Sequence, residues 1–173
     1  MIVGIIPARY AATRLPGKPL VDLCGQTMIE RVWRAAQACE SLDRVIIATD
    51  SELIAQEARR IGADVALTDP DLPSGTDRCY AVVQQLESTP DIVINIQGDE
   101  PLLQSSVLTQ LVDALADTNA DVSTPVTRIM QAADLADPNI VKVAMGSDCK
   151  AVYFSRSPIP HLRGVVMSDW LSK

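Results

Sequence analysis

The sequence predicts an α/β protein built on a doubly wound, mostly parallel sheet, and three observations support this fold class. Short apolar segments alternate with segments of helical spacing over residues 2–96, in the order β-α-β-α-β-α-β. The apolar segments lack polar alternation, as expected of strands buried on both faces. Aromatic residues make up only 3% of the chain, so Val, Ile, Leu and Ala must fill the core between sheet and helices.

The first strand is predicted at residues 2–6, a β-branched run that stops at Pro7. A helix should follow from residue 28 to about residue 40, because apolar side chains recur there at intervals of three and four. Thr27 stands directly before this segment and is a favourable N-cap.

The second strand is predicted at residues 44–50, and the helix after it should cover residues 51–61. Either Asp50 or Ser51 can cap this helix, and Gly62 is a suitable residue to end it. A short third strand is expected at residues 64–68.

A loop rich in Asp and Pro at residues 69–75 leads to a third helix, predicted at residues 76–87. The fourth strand is expected at residues 91–96. The fourth helix is predicted at residues 105–116, where two serines can cap its beginning.

Two further elements are predicted after the fourth helix. Residues 122–129 favour a strand, but Pro125 within it restricts that strand to an edge or a bulge. Residues 141–145 and 151–155 flank a segment rich in turn residues, which is typical of a β-hairpin.

The length of 173 residues favours one domain over residues 1–173. No segment approaches the roughly eighteen apolar residues of a membrane span, and the beginning of the chain lacks the pattern of a secretory signal. We therefore expect a cytoplasmic protein that has no membrane partner.

The four cysteines form no C-x-x-C pair, and His161 is the one histidine, which excludes most zinc and iron-sulfur sites.

The formal net charge of −7 disfavours nucleic acid as a partner. Residues 1–34 nevertheless have a balance of +3, whereas the rest of the chain has −10. An anionic ligand is therefore expected at the amino-terminal part of the protein.

Three cations, Arg9, Arg14 and Lys18, follow the carboxyl end of the first strand, where parallel sheets bind their ligands. One such residue alone could be a solvated loop cation, but three within ten residues favour phosphate binding by side-chain charge. Neither the P-loop pattern nor the dinucleotide pattern G-x-G-x-x-G occurs here.

A second polar group follows the fourth strand and contains Gln97, Asp99 and Glu100. Magnesium prefers one or two carboxylates together with phosphate oxygens and water, and we choose Asp99 as the metal ligand. The alternative is that Asp99 and Glu100 only cap the next turn.

Two weaker groups complete the candidates. Residues 74–78 (Ser-Gly-Thr-Asp-Arg) lie where a loop meets a helix, so their amides can bind a base or phosphate, although Thr76 can equally be an ordinary cap. Arg156 follows the predicted hairpin and can hold a carboxylate with two hydrogen bonds. The alternative for Arg156 is an exposed arginine without a ligand.

These motifs, in this order, resemble the 3-deoxy-manno-octulosonate cytidylyltransferase family. The resemblance covers essentially the whole chain, and four motifs in sequence are far more specific than one. The first motif runs from Ile6-Pro7-Ala8-Arg9-Tyr10 through Thr13-Arg14-Leu15-Pro16-Gly17-Lys18-Pro19-Leu20. The other three are Ser74-Gly75-Thr76-Asp77-Arg78, Gln97-Gly98-Asp99-Glu100-Pro101 and Tyr153-Phe154-Ser155-Arg156.

The resemblance implies a Rossmann-like fold of the nucleotide-diphospho-sugar transferase type, with one nucleotidyltransferase domain over residues 1–173. It further implies that CMP passes from CTP to the anomeric hydroxyl of 3-deoxy-D-manno-octulosonate (Kdo) for lipopolysaccharide synthesis. Pyrophosphate would be released, and Mg²⁺ would be required.

The resemblance also assigns roles to residues. The cations Arg9, Arg14 and Lys18 would hold the triphosphate, while Gln97 and Asp99 would lie at the reacting centre with Asp99 on Mg²⁺. Arg9, Lys18, Gln97 and Asp99 would form the catalytic group. CTP would bind at Pro7, Ala8, Arg9, Arg14, Lys18, Ser74, Gly75, Arg78 and Gln97, and the sugar acid would bind at Arg156 and Ser157.

Family members continue beyond the position of Lys173, through a segment used in pairing subunits and another that bears a second magnesium aspartate. Full-length members are therefore expected to be homodimers. Two alternatives stay open: a CTP-binding module without catalysis, and a cytidylyltransferase for a related sugar acid.

Overall fold

The structure is a computed structural model that describes residues 1–11, 15–116 and 119–172. Its contacts group into two compact units, Met1–Ser123 and Thr124–Lys173, and each unit is described by itself. The single nucleotidyltransferase domain expected over residues 1–173 stays a prediction.

The first unit contains the predicted parallel sheet. Its four strands run in the order β3-β2-β1-β4, and every neighbouring pair is parallel. The order makes β2 and β1 the interior strands and β3 and β4 the edge strands. The strands are β1 (Ile2–Ala8), β2 (Arg44–Thr49), β3 (Asp64–Leu67) and β4 (Ile92–Asn95).

The strand β1 is longer than predicted, because it continues through Pro7 to Ala8. Pairing with β4 reaches only Ile5, so Pro7 has a strand neighbour on one side alone, where it pairs with Ala48 of β2. Proline is tolerated at such a position because few ladder hydrogen bonds depend on its missing N–H.

The predicted helices are all present, with ends that differ by a few residues. Thr27 caps α1 as expected, because its side chain accepts a hydrogen bond from the N–H of Glu30. Gly62 follows α2 with a φ of 81°, which suits the end of a helix. The four helices of this unit are α1 (Met28–Gln37), α2 (Glu52–Arg60), α3 (Gly75–Val83) and α4 (Ser105–Ala116).

The sheet is covered by helices on both faces, so the predicted doubly wound arrangement is confirmed. Helices α1, α2 and α4 pack on one face through residues such as Ile29, Ile54 and Leu108. Helix α3 packs on the other face, where Cys79 and Val82 contact the apolar side chains of β1 and β2. Both faces of β1 are therefore buried, which explains its unbroken apolar sequence.

The second unit contains the predicted hairpin as two antiparallel strands, β5 (Lys142–Met145) and β6 (Ala151–Ser155). It also contains a short helix, α5 (Ala132–Ala136), and a 3₁₀ turn at Met167–Ser172, neither of which the sequence predicted.

The prediction of a strand at residues 122–129 is wrong. The structure describes all of these residues, and none belongs to a strand. Val122 and Val126 are 80% and 51% exposed, so the segment buries no face that could stabilise a strand, and Pro125 cannot donate to a ladder.

Within the described ranges, no helix has both the length and the apolar character that crossing a bilayer requires.

A network of ion pairs joins α1 to α2. Arg60 of α2 contacts Glu30 of α1 at 2.7 Å and its own neighbour Glu57 at 2.7 Å. The Thr27 hydroxyl donates to Glu57 at 2.7 Å. The network therefore fixes the cap of α1 against α2.

The network lowers the pKa of both carboxyl groups. For Glu57, the hydrogen bond from Arg60 is the largest influence and lowers the pKa, against the effect of burial. For Glu30, burial is the largest single influence and raises the pKa, but Arg34 and Arg60 together outweigh it and leave the pKa lowered. A lowered folded-state pKa stabilises the protein above the unfolded pKa of about 4.3, and this stabilisation is lost as the pH falls through the folded value.

We predict that Glu57→Gln lowers the free energy of unfolding by about 1–2 kcal/mol near pH 7, because a charged acceptor is removed. The difference from wild type should shrink as the pH is lowered towards about 3. Urea titrations of both proteins at neutral and at acidic pH measure the difference in the free energy of unfolding.

Glu52→Gln is the matched control, because the pair of Glu52 with Arg59 is about half exposed on both sides. It should change the free energy of unfolding by no more than about 0.5 kcal/mol. A pH-independent effect of Glu57→Gln would contradict the ionic explanation.

Candidate functional site

The carboxyl edge of the sheet contains a cavity of about 520 Å³. The end of β1, the turn after it and the segment after β4 line this cavity, so it lies where parallel sheets bind ligands. Most of the residues that the sequence predicted for the triphosphate and the reacting centre are brought together here. They are Pro7, Ala8, Arg9, Lys18, Gln97 and Asp99.

The close approach of two backbone segments forms the floor of the cavity. Ile96 donates its N–H to the carbonyl of Ile5 at 2.8 Å, which carries the chain past the end of β4 alongside β1. A β-carbon on Gly98 would lie 2.9 Å from the carbonyl oxygen of Pro7. Only glycine therefore lets the following residues lie this close to β1.

Lys18 and Asp99 form an ion pair inside the cavity, with the Lys18 ammonium 2.6 Å from the Asp99 carboxylate. The turn that presents Lys18 depends on Gly17, whose φ of 71° is left-handed. The side chains are 35% and 53% exposed, so a ligand can reach both. The arrangement places a cation on a flexible side chain next to a carboxylate that can bind a metal ion.

Asp99 can provide one carboxylate for a metal ion. Among the residues that the structure describes, no group of three or more His, Cys, Asp or Glu side chains is placed to bind a metal. Magnesium needs only one or two protein carboxylates when phosphate oxygens and water complete its coordination. The donor set fits magnesium bound together with a phosphate ligand.

Arg9 connects the cavity to the loop before α3. One of its guanidinium nitrogens donates to the carbonyl of Leu72 at 3.0 Å. The third predicted cation, Arg14, lies outside the described residues.

Ser74 and Gly75 form the beginning of α3, next to the end of β1. The Ser74 hydroxyl accepts the N–H of Asp77 at 3.1 Å, so Ser74 is the cap, and the alternative cap at Thr76 is wrong. A β-carbon on Gly75 would lie 3.3 Å from the ring of Pro7. The beginning of α3 therefore points its free amides towards the carboxyl edge.

Arg78 lies inside the protein rather than in the cavity. Its side chain is 0% exposed and pairs with Asp50 at 3.0 Å and with the hydroxyl of Thr68. This position is unfavourable for the direct contact with a ligand that the sequence predicted. Sequence reasoning missed Asp50 and Thr68, although both follow the carboxyl end of a strand, as Asp99 does.

Arg156 and Ser157 belong to the second unit, where both are exposed. Arg156 donates to the carbonyl of Pro138 at 2.8 Å, and the N–H of Ser157 donates to the Ser155 hydroxyl at 3.0 Å. Their role as a site for a carboxylate stays a prediction.

A larger cavity of about 710 Å³ opens at the opposite edge of the sheet, beside Arg44 and Arg59. Both arginines are already paired, Arg44 with Asp64 and Arg59 with Glu52. Because ligands of parallel sheets bind at the carboxyl ends of the strands, the smaller cavity is the better candidate.

The chain is similar to known cytidylyltransferases. A family model described as cytidylyltransferase matches residues 3–167. The 3-deoxy-manno-octulosonate cytidylyltransferase of Chromohalobacter salexigens is 51% identical over 162 residues, which are 92% of this chain and 62% of that protein. The enzyme of the same name from Cytophaga hutchinsonii is 41% identical over 172 residues, which are 99% of this chain and 68% of that protein.

A solved structure described as CMP:2-keto-3-deoxy-manno-octonic acid synthetase complexed with CTP is also similar. It has 39% sequence identity and a TM-score of 0.84, and the match covers 94% of this chain and 67% of that one. The chain thus spans 62–68% of the length of these relatives.

We predict that Gly98→Ala lowers the free energy of unfolding by about 1–3 kcal/mol, because the added methyl group must push two backbone segments apart. Chemical denaturation measures the change. Gly4→Ala is the control, since its β-carbon would first meet the ends of the Ile96 and Leu42 side chains, which can move. An equal or larger cost at Gly4 would show that the backbone contact at Gly98 has no special importance.

Proposed function

The chain belongs to the 3-deoxy-manno-octulosonate cytidylyltransferases of the cytidylyltransferase family, and we propose that it transfers CMP from CTP to the anomeric hydroxyl of Kdo, releasing pyrophosphate. The observation that carries the proposal is the pair of Lys18 and Asp99, joined at 2.6 Å in a cavity at the carboxyl edge. This pair offers opposite charges to a polyanion and a metal ion at the same point.

The reaction is an in-line displacement at the α-phosphorus of CTP. The anomeric oxygen of Kdo forms a bond to this phosphorus and loses its proton to solvent, while the bond from the phosphorus to the oxygen that bridges to the β-phosphate breaks and pyrophosphate leaves with that oxygen. Such a reaction needs alignment and charge stabilisation rather than a protein nucleophile.

The residues of the cavity meet these needs. Arg9 and Lys18 bind triphosphate oxygens, and Arg14 is proposed for the same task. The Lys18 ammonium is a compact charge on a flexible stem, so it can leave Asp99 for a phosphate oxygen and offset the charge that grows on the leaving pyrophosphate. Gln97 lines the same cavity, and its amide orients the reacting groups.

Asp99 is proposed to hold Mg²⁺ through its carboxylate, with phosphate oxygens and water as further ligands. When bound, Mg²⁺ supplies positive charge that offsets the negative charge of the triphosphate and of the leaving group.

The nucleoside is proposed to bind along the end of β1 and the beginning of α3. Pro7 and Ala8 offer backbone groups, and Ser74 and Gly75 lie beside them. Arg156 and Ser157 are proposed to hold the carboxylate of the sugar acid, because a guanidinium fork fits that group.

We further propose that the native protein is a cytoplasmic homodimer that supplies activated Kdo for lipopolysaccharide. Its substrate CTP is a nucleotide of the cytoplasm, which supports this location.

A pyrophosphate-release assay with CTP, Kdo and Mg²⁺ tests the proposal. Release that requires Kdo supports the transferase, whereas CTP binding without release would favour a binding module that lacks catalysis. Faster pyrophosphate release with another sugar acid would favour a cytidylyltransferase that is specific for that related sugar acid.

We predict that Lys18→Ala lowers turnover by about 10²- to 10³-fold, as does the loss of one donor to a transition state. Steady-state pyrophosphate release measures it. Lys150→Ala is the control, because this lysine is 71% exposed and pairs with Asp148 in the second unit. If turnover of Lys18→Ala stays within about threefold of wild type, Lys18 does not act on the leaving group.

We predict that Asp99→Asn abolishes metal-dependent turnover and weakens Mn²⁺ binding in the presence of CTP, because the substitution removes the negative charge of the carboxylate that is proposed to hold the metal. Electron paramagnetic resonance of free Mn²⁺ measures the binding without relying on activity. Glu100→Gln tests the neighbouring carboxylate and should leave Mn²⁺ binding unchanged. If Glu100→Gln weakens Mn²⁺ binding and Asp99→Asn does not, the metal ligand is Glu100 rather than Asp99.

A further inference from the structure

A buried charged cluster lies beneath the loop that leads into α3. Arg78 is 0% exposed, and its two terminal nitrogens bind in different directions, one to Asp50 at 3.0 Å and the other to the Thr68 hydroxyl. We call Asp50, Thr68 and Arg78 the Arg78 cluster. The Nε of Arg78 is buried without a hydrogen-bond partner in the part of the chain that the structure describes.

The Arg78 cluster joins three elements at the carboxyl edge of the sheet. Asp50 directly follows β2, Thr68 directly follows β3, and Arg78 belongs to the first turns of α3. The N–H of Thr68 also donates to the carbonyl of Thr49 at 2.9 Å. The start of the loop at residues 69–74 is therefore fixed to β2, and its end is fixed through α3.

The same loop is held from its other side. Arg9 donates to the carbonyl of Leu72 at 3.0 Å, and Arg9 itself lines the cavity that we assign to the triphosphate. The loop is thus anchored by a cation that lines the cavity and, through Thr68 and α3, by a buried cation.

We propose that the Arg78 cluster is a positioning device that sets the place of Ser74 and Gly75, and through them the affinity for the nucleoside part of CTP, without touching the nucleotide. This inference rests on the proposed function, because it assumes that these two residues meet the nucleoside.

The chemistry of the cluster supports a positioning role. A guanidinium has donors in a rigid fork, so it can hold two acceptors at fixed angles, whereas a lysine ammonium has no such planar fork. Removing one partner of a buried ion pair leaves a charge without compensation. The Arg78 side chain must then move or take up water, and the loop above it moves with it.

The test compares two ligands that share the phosphate site. CTP contacts both the triphosphate cavity and the beginning of α3, while inorganic pyrophosphate contacts the cavity alone. Thr68→Val removes one hydrogen bond at nearly constant volume, and Asp50→Asn removes the charge. Calorimetry with Mg²⁺ present gives the dissociation constant of each ligand for each variant.

We expect both variants to bind CTP about tenfold more weakly, a loss of about 1.4 kcal/mol, while the dissociation constant of pyrophosphate stays within about twofold. Asp64→Asn is the matched control, because it breaks an Arg-Asp pair at the opposite edge of the sheet. It should change neither constant. Thr68→Val keeps the test valid if Asp50→Asn fails to fold.

Three results would overturn the inference. Equal losses of CTP and pyrophosphate would show general damage to the site. Unchanged CTP affinity in both variants would show that the cluster does not set the loop. Tighter CTP binding by Asp50→Asn would show that a released Arg78 contacts the nucleotide directly. A wild-type protein that binds pyrophosphate but not CTP would instead overturn the proposed function.

Discussion

The carbonyl oxygen of Pro7 lies 2.9 Å from the point where a β-carbon of residue 98 would stand. The absence of that carbon lets the chain after β4 follow the end of β1. As a result, Asp99 meets Lys18, a residue 81 positions earlier in the sequence, at 2.6 Å. The cavity, the metal ligand and the mobile cation of the proposed mechanism all depend on this approach.

Two of the ion pairs differ in how accessible they are to solvent. The pair of Lys18 and Asp99 is partly exposed, so it contributes only about 0–1 kcal/mol to stability and can be exchanged for a ligand at little cost. The carboxyl group of Glu30 is almost fully buried beside Arg60, where an unpaired charge would be costly. The buried carboxylate of Glu30 thus joins two helices, while the pair of Lys18 and Asp99 in the candidate site stays accessible to a ligand.

The loop before α3, beside the proposed nucleoside site, is anchored by two arginines. Arg9 donates to the carbonyl of Leu72 within this loop, while Arg78 donates to the hydroxyl of Thr68, the residue before it, and pairs with Asp50. Such support lets a loop bind a ligand without losing much conformational freedom on binding. In the proposed positioning role, an arginine with no access to solvent matters for a ligand that it does not touch.

The sequence by itself determined the alternation of strands and helices over residues 2–116 and the opposite charges that follow the ends of β1 and β4. These depend on periodicity and on residues that directly follow strands, and both are local properties. Only the tertiary structure decided that Arg78 is buried on Asp50, that Ser74 caps α3, and that residues 122–129 form no strand. The physical reason is that burial and pairing depend on which distant segments pack together, and the local pattern at Arg78 is the same for a residue facing a ligand as for one facing the core.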